Sequence, residues 1–167
     1  NRCQLELEHI KFKENSKPKL HIAIAPTKMN DRMEWFLEKS TELGINSITP
    51  IICSNSERRH IKEERFEKII VSAMQQSLQL HKPVLNELTA FSDFIDNASE
   101  SGIKLIAHCE DIDKKHLMQF LSPTTDVLLL IGPEGDFTPA EIQQALKRGY
   151  QPVHLGPTRL RTETAGI

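Results

Sequence analysis

Cysteine is scarce in this chain. The three present, Cys3, Cys53 and Cys109, are odd in number and far apart, which argues against a disulfide framework and for a reducing, cytoplasmic compartment. No apolar run is long enough to span a bilayer, so no membrane partner is expected. Asn1 is followed by no signal-peptide pattern. Excess positive charge is missing as well: 21 lysines and arginines against 23 acids leave a formal charge of −2. A protein that grips nucleic acid with its whole surface is usually basic, so any RNA contact here must come from a local patch. Neither phosphate cradle, G-x-x-x-x-G-K-[ST] or G-x-G-x-x-G, occurs, which disfavours a nucleoside triphosphate or a nicotinamide as the ligand. There is no internal repeat and no low-complexity tract.

What is present is a strand–helix alternation. With 167 residues, 38% of them hydrophobic and 26% charged, one domain can bury a sizeable core. Residues 1–19 are polar and end in KENSKPK, a linker. Strands are expected at 20–25, 46–52, 84–88, 103–107, 126–131 and 153–155. Helices are expected from Asn30 or Asp31 to Leu43, with Met33, Phe36, Leu37 and Leu43 on one face, and at 63–80, 92–98 and 114–121. Thr138-Pro139-Ala140-Glu141 spells a capping box with proline at the first helical position, which predicts a helix to about Arg148, stopped by Gly149. The alternation implies a mostly parallel sheet covered on both faces.

Two loops stand out, each placing glycine and proline just past an apolar strand, where open α/β sheets form ligand crevices. The first is GPEGDF at 132–137 and the second LGPTRLRTETA at 155–165. Alone, the first reads equally well as a tight strand-to-helix turn. The second adds Arg159 and Arg161 on either side of Leu160, then Thr162 as a helix cap and Glu163 in the first turn. A third candidate, His108-Cys109-Glu110, also follows a strand. His108, Cys109 and His116 match no standard zinc spacing and lack a fourth ligand, so no metal is expected. The basic stretch ERRHIKEERFEK at 57–68 is interleaved with acids and reads as a solvated helix face.

IGPEGDFTPAEI followed by LGPTRLRTETAGI resembles the RsmE family of 16S ribosomal RNA (uracil-N3)-methyltransferases, and the resemblance extends through EKSTELGINSITPIICSNSERR and AMQQSLQLHKPVL. It implies the SPOUT α/β-knot fold, with a deep C-terminal trefoil knot over residues 20–167 and a remnant of an N-terminal PUA-like β-barrel over residues 1–19. The helix that the family places after ETAG then lies beyond Ile167. It implies S-adenosylmethionine as methyl donor, 16S ribosomal RNA of the small subunit as substrate, and a homodimer. The donor would be held by His108, Cys109 and Glu110, by Ile131, Gly132, Pro133, Glu134 and Gly135, and by Leu155, Gly156, Leu160, Thr162, Thr164 and Ala165. Arg161 and Glu163 would be catalytic; Arg58, Arg59 and Arg159 would bind RNA. Alternatives are a knotted methyltransferase acting on transfer RNA and a non-catalytic RNA-binding relative. Three positions depart from the family pattern: Asp136 replaces a third glycine, Thr158-Arg159 replaces arginine-isoleucine, and Gln79 replaces an arginine.

Overall fold

The computed structural model describes residues 6, 8–12, 18–98 and 101–167. The expected barrel remnant and linker at 1–19 fall largely outside these residues. The chain forms β1 (Leu20–Ile24), α1 (Asn30–Leu43), β2 (Ser47–Ile52), α2 (Glu63–Gln76), β3 (Val84–Leu85), β4 (Thr89–Ala90), α3 (Phe91–Asn97), β5 (Ile103–Ala107) and β6 (Lys115–His116). It continues through β7 (Val127–Ile131), α4 (Pro139–Lys147), β8 (Gln151–His154) and α5 (Thr162–Ala165).

Every pairing among the described strands is parallel. The order is β3-β2-β1-β7-β5-β8-β6, with β4 continuing alongside β2. Two late strands are inserted between earlier ones: β7 between β1 and β5, and β8 between β5 and β6. The inserted β7 is buried along all of its residues, which explains its unbroken VLLLI; a strand covered on both faces has no polar side. Side chains alternate with a period of two. Ile22, Ile24, Leu129 and Ile131 pack with Met33, Phe36 and Leu37 of α1 and Phe66 and Ile70 of α2. Ala23, Ala25, Leu128 and Leu130 pack with Phe91 and Ile95 of α3 and Ile142 and Ala145 of α4.

The capping box is formed on both sides: Thr138 Oγ1 accepts from the Glu141 amide, and Glu141 Oε2 accepts from the Thr138 amide at 2.8 Å. Four expectations are corrected. Leu43 is 70% exposed rather than part of the core face of α1. α2 ends at Gln76 because Ser77 turns its hydroxyl onto the Ala73 carbonyl, and Leu78 takes a left-handed φ of 55°. No helix spans 114–121; the segment gives the short edge strand β6 and one tight turn at Leu117–Gln119, capped by His116 Nδ1 accepting from the Met118 amide. Arg161, not Thr162, precedes the first turn of α5.

His21 on β1 packs edge-on against Phe94 at 5.7 Å, and its Nε2 lies 2.7 Å from Thr49 Oγ1. Burial pushes its pKa down to about 4. The unfolded chain therefore binds more protons than the folded one between pH 6.5 and 4. The contribution is fully present above about pH 6.5 and falls away as pH drops toward 4. Chemical denaturation at about pH 7 and pH 5 should show a loss of roughly 2 kcal/mol from this group. A His21→Phe variant should show a flatter acid limb; an unchanged limb would assign the loss elsewhere.

Candidate active site

The carboxyl ends of β7, β5 and β8 are neighbours in the sheet. Their loops therefore converge, although 107 and 155 are far apart in the chain. Together they enclose a cavity of about 740 Å³, within the range of roughly 300–1,000 Å³ usual for small-molecule sites. From the loop after β5 come His108 and Cys109; from the loop after β7 come Gly132, Pro133 and Glu134, next to Ile131. The loop after β8 supplies Leu155, Gly156, Arg159, Leu160 and Arg161, followed by Thr162 and Ala165 of α5. Glu110, Gly135, Thr164 and the expected catalytic Glu163 do not line it. Arg58 and Arg59 lie in the loop after β2, away from this wall.

The loops are held by side chains rather than by one another's backbone. Asp136 sits at φ 62°, a left-handed conformation that explains why a glycine would also suit the position. Its Oδ2 accepts from the Cys109 amide at 2.6 Å and its Oδ1 from the Phe137 amide at 2.8 Å, tying the β5 loop to the β7 loop. Lys114 Nζ donates to the carbonyls of His108 and Glu110, at 2.8 and 2.5 Å. Asn55 Nδ2 donates to the carbonyls of Gly135 and Asp136, both at 3.1 Å. Glu141 Oε1 accepts from the Ser54 amide at 2.8 Å. Burial alone would raise the Glu141 pKa, but hydrogen bonds from Thr138 and Ser54 outweigh it and hold the carboxyl below its ordinary value.

Gly132 is close-packed: a Cβ there would meet the Phe137 ring at 3.1 Å. Gly156 is the opposite case, at φ 140° with nothing within 4 Å of a Cβ. Gly166 seats α5 on α1, since a Cβ there would lie 2.5 Å from the Phe36 ring.

Among the described residues, three buried side chains have unmet hydrogen-bonding capacity: His108, Glu163 and, outside the cavity lining, Tyr150. His108 is buried, and neither of its ring nitrogens has a partner among the described residues. Burial first, and the Lys114 charge second, lower its pKa against the opposing pull of Asp136, so the ring is neutral at neutral pH, with one donor and one acceptor. A buried polar atom left unpaired costs about 1–3 kcal/mol, so a polar ligand in this cavity would be a natural partner. Glu163 is nearly as buried; its Oε1 lies 3.5 Å from Arg32 Nη1 and its Oε2 has no partner. Arg159 and Arg161, by contrast, are exposed and make no ion pair among the described residues.

Four basic side chains line the cavity, Arg32, Lys114, Arg159 and Arg161, against two acids, Glu134 and Asp136. Arg32, Lys114 and His154 were not singled out by sequence reasoning. Arg32 sits in the first turn of α1, and only the three-dimensional packing of α5 on α1 brings it here. No cluster of three or more His, Cys, Asp or Glu side chains suited to a metal ion occurs among the described residues. No helix among them is long and apolar enough to cross a membrane.

Comparison with known proteins agrees with this geometry. Residues 13–167 match the model of the RNA methyltransferase domain family. The ribosomal RNA small subunit methyltransferase E of Mesomycoplasma hyopneumoniae is 33% identical over 166 residues, which cover 94% of this chain and 70% of that protein. A probable rRNA-methyltransferase from Porphyromonas gingivalis superposes with a TM-score of 0.88 at 43% identity, covering 94% of this chain and 67% of that one. The Neisseria gonorrhoeae ribosomal RNA small subunit methyltransferase E, solved with S-adenosylmethionine bound, gives 0.82 at 31% identity, over 93% of this chain and 65% of that one. This chain is therefore a member of the RNA methyltransferase domain family, in the branch of the small subunit ribosomal RNA methyltransferases E.

Proposed function

We propose that the protein methylates N3 of a uridine in 16S ribosomal RNA, with S-adenosylmethionine as donor and the small ribosomal subunit as the substrate particle. The observation that carries this reading is the convergence of three loops from adjacent parallel strands, two of them bearing glycine and proline, on one cavity with arginines at its wall. The cavity's size and the unpartnered ring nitrogens of His108 fit a polar ligand of the donor's class.

When bound, S-adenosylmethionine supplies a methyl group on a sulfonium, which departs as a neutral thioether. The protein then has two tasks. The uracil N3 proton must be removed, and the negative charge that spreads to the flanking carbonyl oxygens must be stabilised. Arg161 is assigned the second task, because a guanidinium is always charged and donates from a rigid fork. Its side chain is free of ion pairs among the described residues and reaches the cavity wall. Glu163 is assigned the first, with Oε1 near Arg32 and Oε2 unpartnered. The backbone of Gly132, Gly156 and Leu160 is assigned to the donor, and Arg59 and Arg159 to RNA phosphates.

The same reading gives residues 20–167 the SPOUT α/β-knot, residues 1–19 the end of a PUA-like barrel, and the active form a two-fold dimer in the cytoplasm. The late insertion of β7 and β8 between earlier strands is consistent with that fold. A near-neutral protein gains little from non-specific phosphate contacts, which favours an assembled subunit with one base splayed out over free RNA. A methyl at N3 blocks the pairing edge of uracil. Primer extension on ribosomal RNA should therefore show a stop in cells that carry the gene and none in cells that lack it. An unchanged pattern, or a stop that moves only in transfer RNA, would contradict the assignment.

A further inference from the structure

The loop after β2 carries two adjacent arginines with different surroundings. Arg59 is exposed, and among the described residues its side chain donates one hydrogen bond, from Nη2 to the Ser54 carbonyl at 3.3 Å. Arg58 is half-buried and turns back into the protein. Its Nε donates to the Thr27 carbonyl at 3.0 Å and its Nη2 to the Lys28 carbonyl at 2.6 Å. These are successive carbonyls of the loop after β1, where Thr27 is fully buried and its hydroxyl bonds to the Met29 carbonyl at 2.7 Å. On its other side the same loop presents the Lys28 amide, which donates to Glu134 Oε1 at 2.9 Å. Glu134 belongs to the GPEG loop and lines the cavity. A continuous path thus runs from the Arg58 guanidinium, through one peptide of the β1 loop, to the loop that forms a wall of the site.

We propose that Arg58 is a positioning residue for the methyl-donor site, acting through the Thr27–Lys28 peptides and Glu134, rather than a phosphate contact. This rests on the reading of the cavity as the donor site. The physical case is one of geometry. Two successive carbonyls fix the plane of a forked guanidinium, which a lysine ammonium on a flexible stem does not reproduce. A guanidinium spent on two carbonyls fixes the direction of the Lys28 amide. That amide, in turn, fixes the carboxylate of Glu134 and hence the backbone at Gly132 and Pro133. Losing a hydrogen bond to a charged group costs more than losing a neutral one. Part of that loss should appear in ligand affinity, because the loop must then be ordered when the donor binds.

The test is calorimetric titration with S-adenosylhomocysteine, without RNA, alongside steady-state kinetics on small subunits. Arg58→Ala should weaken S-adenosylhomocysteine binding about tenfold, or 1.4 kcal/mol. It should raise KM for S-adenosylmethionine similarly and leave kcat at saturating donor within about twofold. Arg58→Lys should behave like Arg58→Ala, whereas Arg59→Ala should bind S-adenosylhomocysteine as the parent does. Glu134→Ala should reproduce the loss from the other end of the path. The double variant should be no weaker than the more affected single one, because both break one connection. Parent-like S-adenosylhomocysteine binding by Arg58→Ala and Glu134→Ala, or rescue by Arg58→Lys of a defect confined to subunit affinity, would overturn the proposal and make Arg58 a phosphate contact. A parent protein that binds no S-adenosylhomocysteine would instead remove the donor-site reading, and this inference with it.

Discussion

Arg161→Ala should lower kcat for methyl transfer by about a hundred- to a thousandfold, the usual consequence of removing one preorganised donor to a developing anion. S-Adenosylhomocysteine affinity should change by no more than about threefold, because the proposed role of the charge is toward the nucleobase rather than the donor. The side chain makes no ion pair among the described residues, so its loss should leave stability nearly unchanged. Arg159→Ala, two residues earlier and also on the cavity wall, should act mainly on KM for the subunit. Parallel losses in kcat and donor affinity for Arg161→Ala would instead make Arg161 a loop-shaping residue.

Gly156→Val should reduce S-adenosylhomocysteine affinity by about a hundredfold or more. A Cβ at Gly156 meets nothing within 4 Å, and the residue lies on the cavity wall. The new side chain would therefore enter space that the protein leaves to a ligand. At φ 140° any non-glycine residue is strained, so the melting temperature should fall by the equivalent of about 1–3 kcal/mol. Gly132→Val would report something else, since its Cβ collides with the buried Phe137 ring and the fold would carry the cost. Calorimetry on the folded Gly156→Val protein decides the matter: parent-like affinity would place the donor elsewhere.

Local chemistry made much of the fold legible. The capping box of α4 forms as spelled, and α1 ends at Leu43 as expected, with Gly44 at φ 88° turning the chain. The unbroken VLLLI is the most enclosed strand, as a two-sided burial requires. Misreadings occur where tertiary contacts override periodicity. β6 exists because β8 offers an edge, with His116 beside His154. The two residues of β4 carry no pattern of their own and form because β2 extends past β3.

In the cavity, the residues within the GPEG and LRTETA motifs were visible as a run of special backbone chemistry. Arg32, Lys114 and His154 were not, because each reaches the site through a sheet order that no local pattern encodes. Asp136 was visible only as a departure from the family glycine. The structure gives that departure a physical content: a carboxylate that accepts two amides and joins two loops. Arg58, expected at the RNA, donates to the Thr27 and Lys28 carbonyls.

The central claim, that this cavity serves methyl transfer to a uracil of small-subunit RNA, is tested most directly by label transfer. The protein is incubated with S-adenosylmethionine labelled in its methyl group and with small ribosomal subunits lacking the modification; the RNA is then digested and its nucleosides separated. The label should run with 3-methyluridine, depend on Arg161, and be far weaker on naked 16S RNA than on the assembled subunit. Label in a ribose-methylated or other nucleoside, or transfer to transfer RNA in place of the subunit, would contradict the account.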